Sequence, residues 1–238
     1  MTQADLPSPT PADDTPTRLG TAACPATAID AARLLLEAVA VGPGEMLLDL
    51  AAGLGHGAGL ASHRGAIATG IASEEALLDQ ARRVYPNALY YTGTPDSLVF
   101  ANGFFAAVIH HGGIALAAAA ETRAMIARRE VFRVLQPGGR YAGLYLGRPE
   151  VGAVQDAGAV QDAGSGQSAW DAESMSKLRS GWQDVGFDAP RTVVTELAWQ
   201  PVTASDRELL ARVDTTDAST PITLVRWPAL LLVVAKPR

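Results

Sequence analysis

The chain's histidines and its glycine-rich turn are the residues whose types and placement point to chemistry. His110 and His111 close the apolar run FFAAVIHH, and a histidine at a strand end can donate a hydrogen bond or take up a proton. Upstream, MLLDLAAGLGHGAGLA carries Asp49 at the end of an apolar stretch, then Gly53, Gly55 and His56. Glycines directly after a strand let backbone N–H groups approach a ligand at a helix N-terminus. Gly53, Gly55 and Ala58 satisfy the spacing of a dinucleotide fingerprint. That fingerprint also requires an acid about 20 residues on, at the end of the second strand. Ala72 stands there. A tight strand-to-helix turn without a ligand would use the same glycines.

The elements that must position these residues follow from periodicity. ATAIDAARLLLEAVAV reads as a helix, stopped by the glycines and proline of VGPGE. Strand and helix patterns then alternate: MLLD, the helix after the glycine turn, AIATGI, SEEALLDQARRVY, LYYTG, FFAAVIHH, ETRAMIARREVFRVL and RYAGLYLG. Such alternation implies an α/β fold with a doubly wound, mostly parallel sheet and helices on both faces. SAWDAESMSKLRSGWQDVGF reads as a further helix with Ser168 or Asp171 near its cap, and the C-terminal stretch supplies final strands. Pro221 and Pro228 would be tolerated only at strand ends or edges. Because successive strand residues point oppositely, only one of His110 and His111 should face the ligand crevice, the other packing against a helix.

Residues 1–25, rich in proline and small polar residues, are expected to be a flexible tail. Residues 26–238 make a single domain of a size that buries a sizeable core. The hexapeptide GAVQDA occurs twice in tandem, at 152–157 and 158–163. The stretch 149–168 is therefore read as a mobile loop or lid.

Composition excludes several functions. Nineteen basic against 25 acidic residues give a net charge of −6 with no basic run, so neither nucleic acid nor an anionic membrane is an expected partner. One cysteine, Cys24, makes no internal disulfide, and no Cys or His occurs at metal-ligand spacing. Without a signal-peptide pattern or a spanning apolar run, a cytoplasmic location is expected, with the oligomeric state, a homodimer included, left open.

The order of motifs resembles the class I SAM-dependent methyltransferases from about residue 29 onward. LLDLAAGLGHGAGLA is similar to their first motif, ATGIASEEALLDQARRVYP to their second strand and helix, YYTGTPDSLVFANGFFAAVI to their third and fourth strands, and EVFRVLQPGGRYAGLYL to their helix, Pro-Gly-Gly turn and fifth strand. The resemblance implies a seven-stranded Rossmann-like sheet. It also exposes departures at positions that face the cofactor in the family. Ala51 stands where the family usually has glycine, Ala72 where an acid holds the ribose, Thr94 where an acid commonly lies beside the adenine, and Ala106 where Asp is common. Asp49, Gly53, Gly55 and Asp96 are retained. With Ala72 and Thr94, the first three mark the remnant of a SAM site. Losing two hydrogen bonds to charged groups costs about 3–6 kcal/mol, or about 100- to 20,000-fold in dissociation constant. Glu74 or Glu75 could reach back to the ribose, or could simply be acids in the first turn of a helix.

A pocket of this kind, stripped of carboxylates, resembles that of the methyltransferase-like cyclases of polyketide biosynthesis, which perform six-plus-four and four-plus-two cycloadditions. The function expected is therefore a cofactor-independent cyclase acting on an apolar polyene or macrolactone, with His111 or His110 donating to a substrate carbonyl. Two alternatives stand beside it. One is a SAM-dependent O- or C-methyltransferase with a divergent pocket and a histidine base; the other is a catalytically inactive binding protein. Tyr145, Trp170 and Trp199 are candidate pocket aromatics or core residues. His63 reads as a cation at a helix C-terminus.

Overall fold

In the computed structural model, residues 25–114, 121–146, 150–152, 170, 172–199 and 224–238 are described. The expected tail, most of the stretch read as a lid with the GAVQDA repeat, and Cys24, Ser168, Asp171 and Pro221 lie outside them.

The described residues open with helix α1 (Pro25–Val39), whose first position holds a proline, where the missing N–H is harmless. Strand β1 (Met46–Asp49), helix α2 (His56–His63), strand β2 (Ile67–Ala72), helix α3 (Glu75–Val84) and strand β3 (Leu89–Thr92) follow as crossover units. Then come β4 (Phe105–His111), α4 (Glu121–Val134), β5 (Leu135–Leu146), β6 (Glu150–Gly152), α5 (Ala172–Gln183), β7 (Arg191–Trp199) and β8 (Leu224–Ala235).

Strands β3, β2, β1, β4 and β5 lie side by side and parallel, in that order. Strand β8 joins β5 antiparallel, and β7 joins β8 antiparallel. Residues 225–226 of β8 pair with both β6 and β7, and residues 229–233 with both β5 and β7. One edge of β8 therefore carries β5 and the short β6 end to end, and β7 covers the other. The result is a mostly parallel sheet of seven full strands, as the repeating pattern implied, with β6 as a three-residue addition.

Three local features depart from expectation. Glu150–Gly152 is a strand inside the stretch read as a loop. Strand β5 starts at Leu135 rather than after the Pro-Gly-Gly turn, because Phe105 pairs with Leu135 and Ala107 with Arg140, so residues 136–139 bulge out of the ladder. Pro228 sits within β8 opposite Glu196 rather than at its end. The physical requirement is still met, since residues 227–228 fall between the segments paired with β6 and β5 and have no described partner on that edge.

Alternation along the strands divides the core in two. Leu47, Ala107, Ile109, Ala142 and Leu144 pack under α1, α2 and α3 through Leu35, Leu36, Ala58 and Leu78. Leu48, Val108, Tyr141 and Tyr145 pack on the other face with Val131 of α4 and Leu178 and Trp182 of α5. Trp182 is fully buried, 4.2 Å from the Tyr141 ring centroid and 5.2 Å from that of Phe187. Trp182→Ala is expected to lower unfolding free energy by about 3–5 kcal/mol in urea titrations, the cost of an aromatic-sized cavity.

Candidate active-site crevice

At the carboxyl end of the sheet, β1 hands the chain to a turn that remains tied to both neighbouring strands. Leu50 N donates to Ile109 O at 2.9 Å and Ala52 N to Ile71 O at 2.9 Å. The Asp49 carboxylate spans the turn, accepting from Ala51 N through one oxygen and from Ala58 N through the other, both at 3.2 Å. Ala58 lies in the first turn of α2, whose N-cap, Gly55, has no side chain to offer. Asp49 therefore caps the helix from the preceding strand. Burial pushes its carboxyl up from the ordinary 3.8 to about 6, against the opposing pull of these two backbone donors.

The two glycines of the turn have different duties. Gly55 has φ 85°, and a Cβ there would lie 2.6 Å from Tyr90 Oη and 2.7 Å from Ala81 Cβ. Its conformation and its bare Cα serve packing. Gly53 has φ 48°, but the nearest atom to an added Cβ is Ala51 O at 3.9 Å. No other atom of the described residues comes that close to a Cβ at Gly53, so among them its backbone is open to an approaching ligand.

Above this turn lies a small crevice, open to solvent, with about 30 Å³ of internal space. Ala28, Ala32 and Leu35 of α1 form one wall, Ile109 and His111 of β4 the back, and His56 stands at the start of α2. Among its lining residues the ionisable ones are Asp49, His56 and His111. The Nε2 atoms of His56 and His111 are both buried without a hydrogen-bond partner. Burial, with a smaller contribution from His56, pushes His111 down to about 4; burial also lowers His56. Both rings are neutral at pH 7. His56 Nδ1 lies 2.9 Å from the hydroxyl of Tyr85.

Strand alternation separates the two adjacent histidines. His111 shares the crevice with Ile109, whereas His110 lies on the opposite face with Val108, buried, with Nδ1 unpartnered and pushed down to about 3 by burial and by His111. Tyr145 is a core aromatic on that same face, 4% exposed, with Trp170 edge-on at 6.2 Å. Neither ring belongs to the crevice. The Trp199 side chain is outside the described set, and His63 ends α2, exposed, beside the Tyr85 ring.

The last residues of β2 and β3, Ala72 and Thr92, are not acids. Ala72 pairs with Thr92. Glu75, the first residue of α3, accepts a hydrogen bond from Thr92 Oγ1 and forms an ion pair with Arg82 at 2.6 Å; Arg82 also holds Asp79 and Tyr90 O. The Thr92 hydroxyl first, and Arg82 next, hold the Glu75 carboxyl below the usual range. Glu74 is the exposed N-cap residue of α3. Thr94 bridges to Ser97, and Asp96, held low by Thr94 and Arg123, forms an ion pair with Arg123 at 2.9 Å. Ala106 is buried. Among the described residues no three His, Cys, Asp or Glu side chains are placed to hold a metal ion, and no helix is long and apolar enough to cross a membrane.

His56 is the crevice residue to which the sequence reading gave no role. Its signal was its place directly after Gly-x-Gly, at the first position of a helix, but Tyr85, which orients it, lies 29 residues away.

The strand order, the glycine turn after β1 and the crevice beside it define the fold of the class I SAM-dependent methyltransferases. Residues 48–143 match the family model described as a methyltransferase domain. An uncharacterized methyltransferase of Synechocystis is 33% identical over 117 residues, 49% of this chain; that stretch spans 54% of the relative's length. The YcgJ protein of Bacillus subtilis superposes with a TM-score of 0.59 at 15% identity, covering 88% of this chain and 99% of its own. The [4+2]-cyclase SpnF superposes with a TM-score of 0.56 at 18% identity, covering 88% of this chain and 82% of its own.

Two expectations follow. Gly55→Ala should cost about 2–5 kcal/mol of stability, combining a left-handed backbone with overpacking, and Gly53→Ala only about 1–2 kcal/mol, as read from urea unfolding. Asp49 gives the second. Its carboxyl titrates higher folded than unfolded, so its contribution favours folding at low pH and declines as pH rises from about 4 to about 6. Relative to Asp49→Asn, the wild type should lose about 2 kcal/mol of stability between pH 4 and pH 7, measured by denaturant titration at each pH.

Proposed function

We propose that this chain is a cofactor-independent cyclase that holds a flexible apolar polyene or macrolactone folded for cycloaddition. The observation that carries the reading is the chemistry of the crevice: small apolar walls, two neutral histidines, and one carboxylate already committed to backbone donors. SAM is the cofactor that the fold implies. Its nucleoside half is poorly provided for, because Ala72 offers no acceptor for the ribose hydroxyls and Glu75 is engaged by Thr92 and Arg82, which leaves the exposed Glu74 at the N-cap of α3 as the remaining nearby acid.

A cycloaddition develops little charge, so most of the rate enhancement comes from restricting the substrate to a reactive fold. A neutral donor aimed at a conjugated carbonyl adds electrostatic activation. His111 suits that role better than proton abstraction. A base with a pKa near 4 is weak at neutral pH, where efficient general bases titrate close to the working pH.

Methyl transfer is the second reading. It is favoured by the open backbone at Gly53 and by the match of residues 48–143 to a methyltransferase domain. In that case Gly53 and Gly55 would hold the methionine end and a histidine would serve as base.

The deciding experiment is calorimetry of the purified chain with SAM and S-adenosylhomocysteine up to millimolar concentration, beside cofactor-free incubation with linear polyenes and macrolactones. The expected result is no heat with either nucleoside, cyclised product without cofactor, and turnover lowered about 5- to 10-fold by His111→Ala. Micromolar SAM binding would return the assignment to methyl transfer.

A further inference from the structure

Resting on the reading of the crevice as a site for an apolar, carbonyl-bearing substrate, a second histidine acquires a role. Tyr85 follows directly on α3 and places its ring edge-on to His56, with centroids 5.7 Å apart and its hydroxyl 2.9 Å from Nδ1. A phenol is a good donor and the pyridine-type nitrogen of a neutral imidazole a good acceptor. With Tyr85 donating to Nδ1, the ring proton of His56 sits on Nε2. That nitrogen is buried, has no partner, and belongs to a residue lining the same crevice as His111 Nε2, which is equally buried and unpartnered. A buried polar nitrogen without a partner is costly to maintain, and here two belong to residues that line one small crevice.

We infer that His56 and His111 form a two-donor clamp for a single neutral acceptor oxygen, the carbonyl of a ketone, ester or lactone in the ligand, with Tyr85 as the positioning residue that sets the His56 tautomer. A carboxylate or phosphate is disfavoured. No cation lines the crevice among the described residues, and the Asp49 carboxylate lies in its floor. Two convergent donors fix the direction as well as the presence of the carbonyl, so the clamp would select substrates by where that oxygen sits along the chain. Tyr85 does not touch the ligand; it acts through His56.

The test uses the full chain labelled with 15N-histidine. Tautomers are read from long-range proton–nitrogen correlations, with β-ionone as a conjugated ketone probe and the hydrocarbon of the same carbon skeleton as control. The clamp requires His56 protonated on Nε2, a Tyr85→Phe variant in which the His56 tautomer ratio moves while His111 stays unchanged, and β-ionone shifting both Nε2 signals where the hydrocarbon shifts neither. His56→Ala and His111→Ala should each weaken β-ionone about 2- to 10-fold. Protonation of His56 on Nδ1, a response confined to His111, no response of either ring, or equal responses to ketone and hydrocarbon would overturn it. None of these readouts depends on turnover. A clamp that responds to β-ionone in a chain that cyclises nothing removes the cyclase reading alone; cyclisation without a His56 response removes the clamp alone.

Discussion

The buried Asp49 carboxylate is the constraint around which the crevice is organised. Its two oxygens hold the start of the glycine turn and the first turn of α2 in one rigid unit. Without it, the Ala58 N–H in the first turn of α2 would lose its acceptor, since Gly55 at the N-cap has no side chain to offer one. Holding α2 in place also holds His56 at the crevice mouth and keeps the backbone at Gly53 exposed. Burial makes the ionised form of this carboxyl costly, and the two backbone hydrogen bonds offset part of that cost. The same group that builds the site thus lends it a dependence on pH.

Strand geometry then assigns the histidines. His110 and His111 are neighbours in sequence, yet one lies among the aromatic packing of α4 and α5 and the other opens onto solvent-accessible space. Both are driven neutral by burial, and each is lowered further by a neighbouring ring, His110 by His111 and His111 by His56. Neutral imidazoles in an alanine-lined crevice form an environment suited to hydrogen bonding with an uncharged ligand and poorly suited to handling charge.

The outer end of the sheet shows how a carboxylate can be present and still be withheld. Glu75 stands near the position where the fold family's ribose-binding acid would act, but Thr92 and Arg82 hold it to the edge of β3 and to its own helix. Asp96 is similarly engaged by Arg123 on α4. These acids brace loops and helix ends, and the crevice lining is mostly apolar, with Asp49, His56 and His111 as its ionisable residues. The proposals of cofactor-independent cyclisation and of a carbonyl clamp both rest on that distribution of charge.

Much of this was legible in the sequence. The alternation of apolar runs with helical periodicity determined a mostly parallel sheet with helices on both faces, because local pattern and crossover handedness leave few other arrangements. The glycine turn, the absence of an acid at Ala72 and the opposite facing of adjacent histidines all follow from spacing along one strand or one turn. What only the tertiary structure decided depends on contacts between residues distant in sequence. It placed His111 rather than His110 in the crevice and Tyr145 in the core. It tied Glu75 to Thr92 across 17 residues and joined Tyr85 to His56 across 29. A side chain's hydrogen-bond partner and its degree of burial are set by which elements pack together, and no local pattern in the chain encodes them.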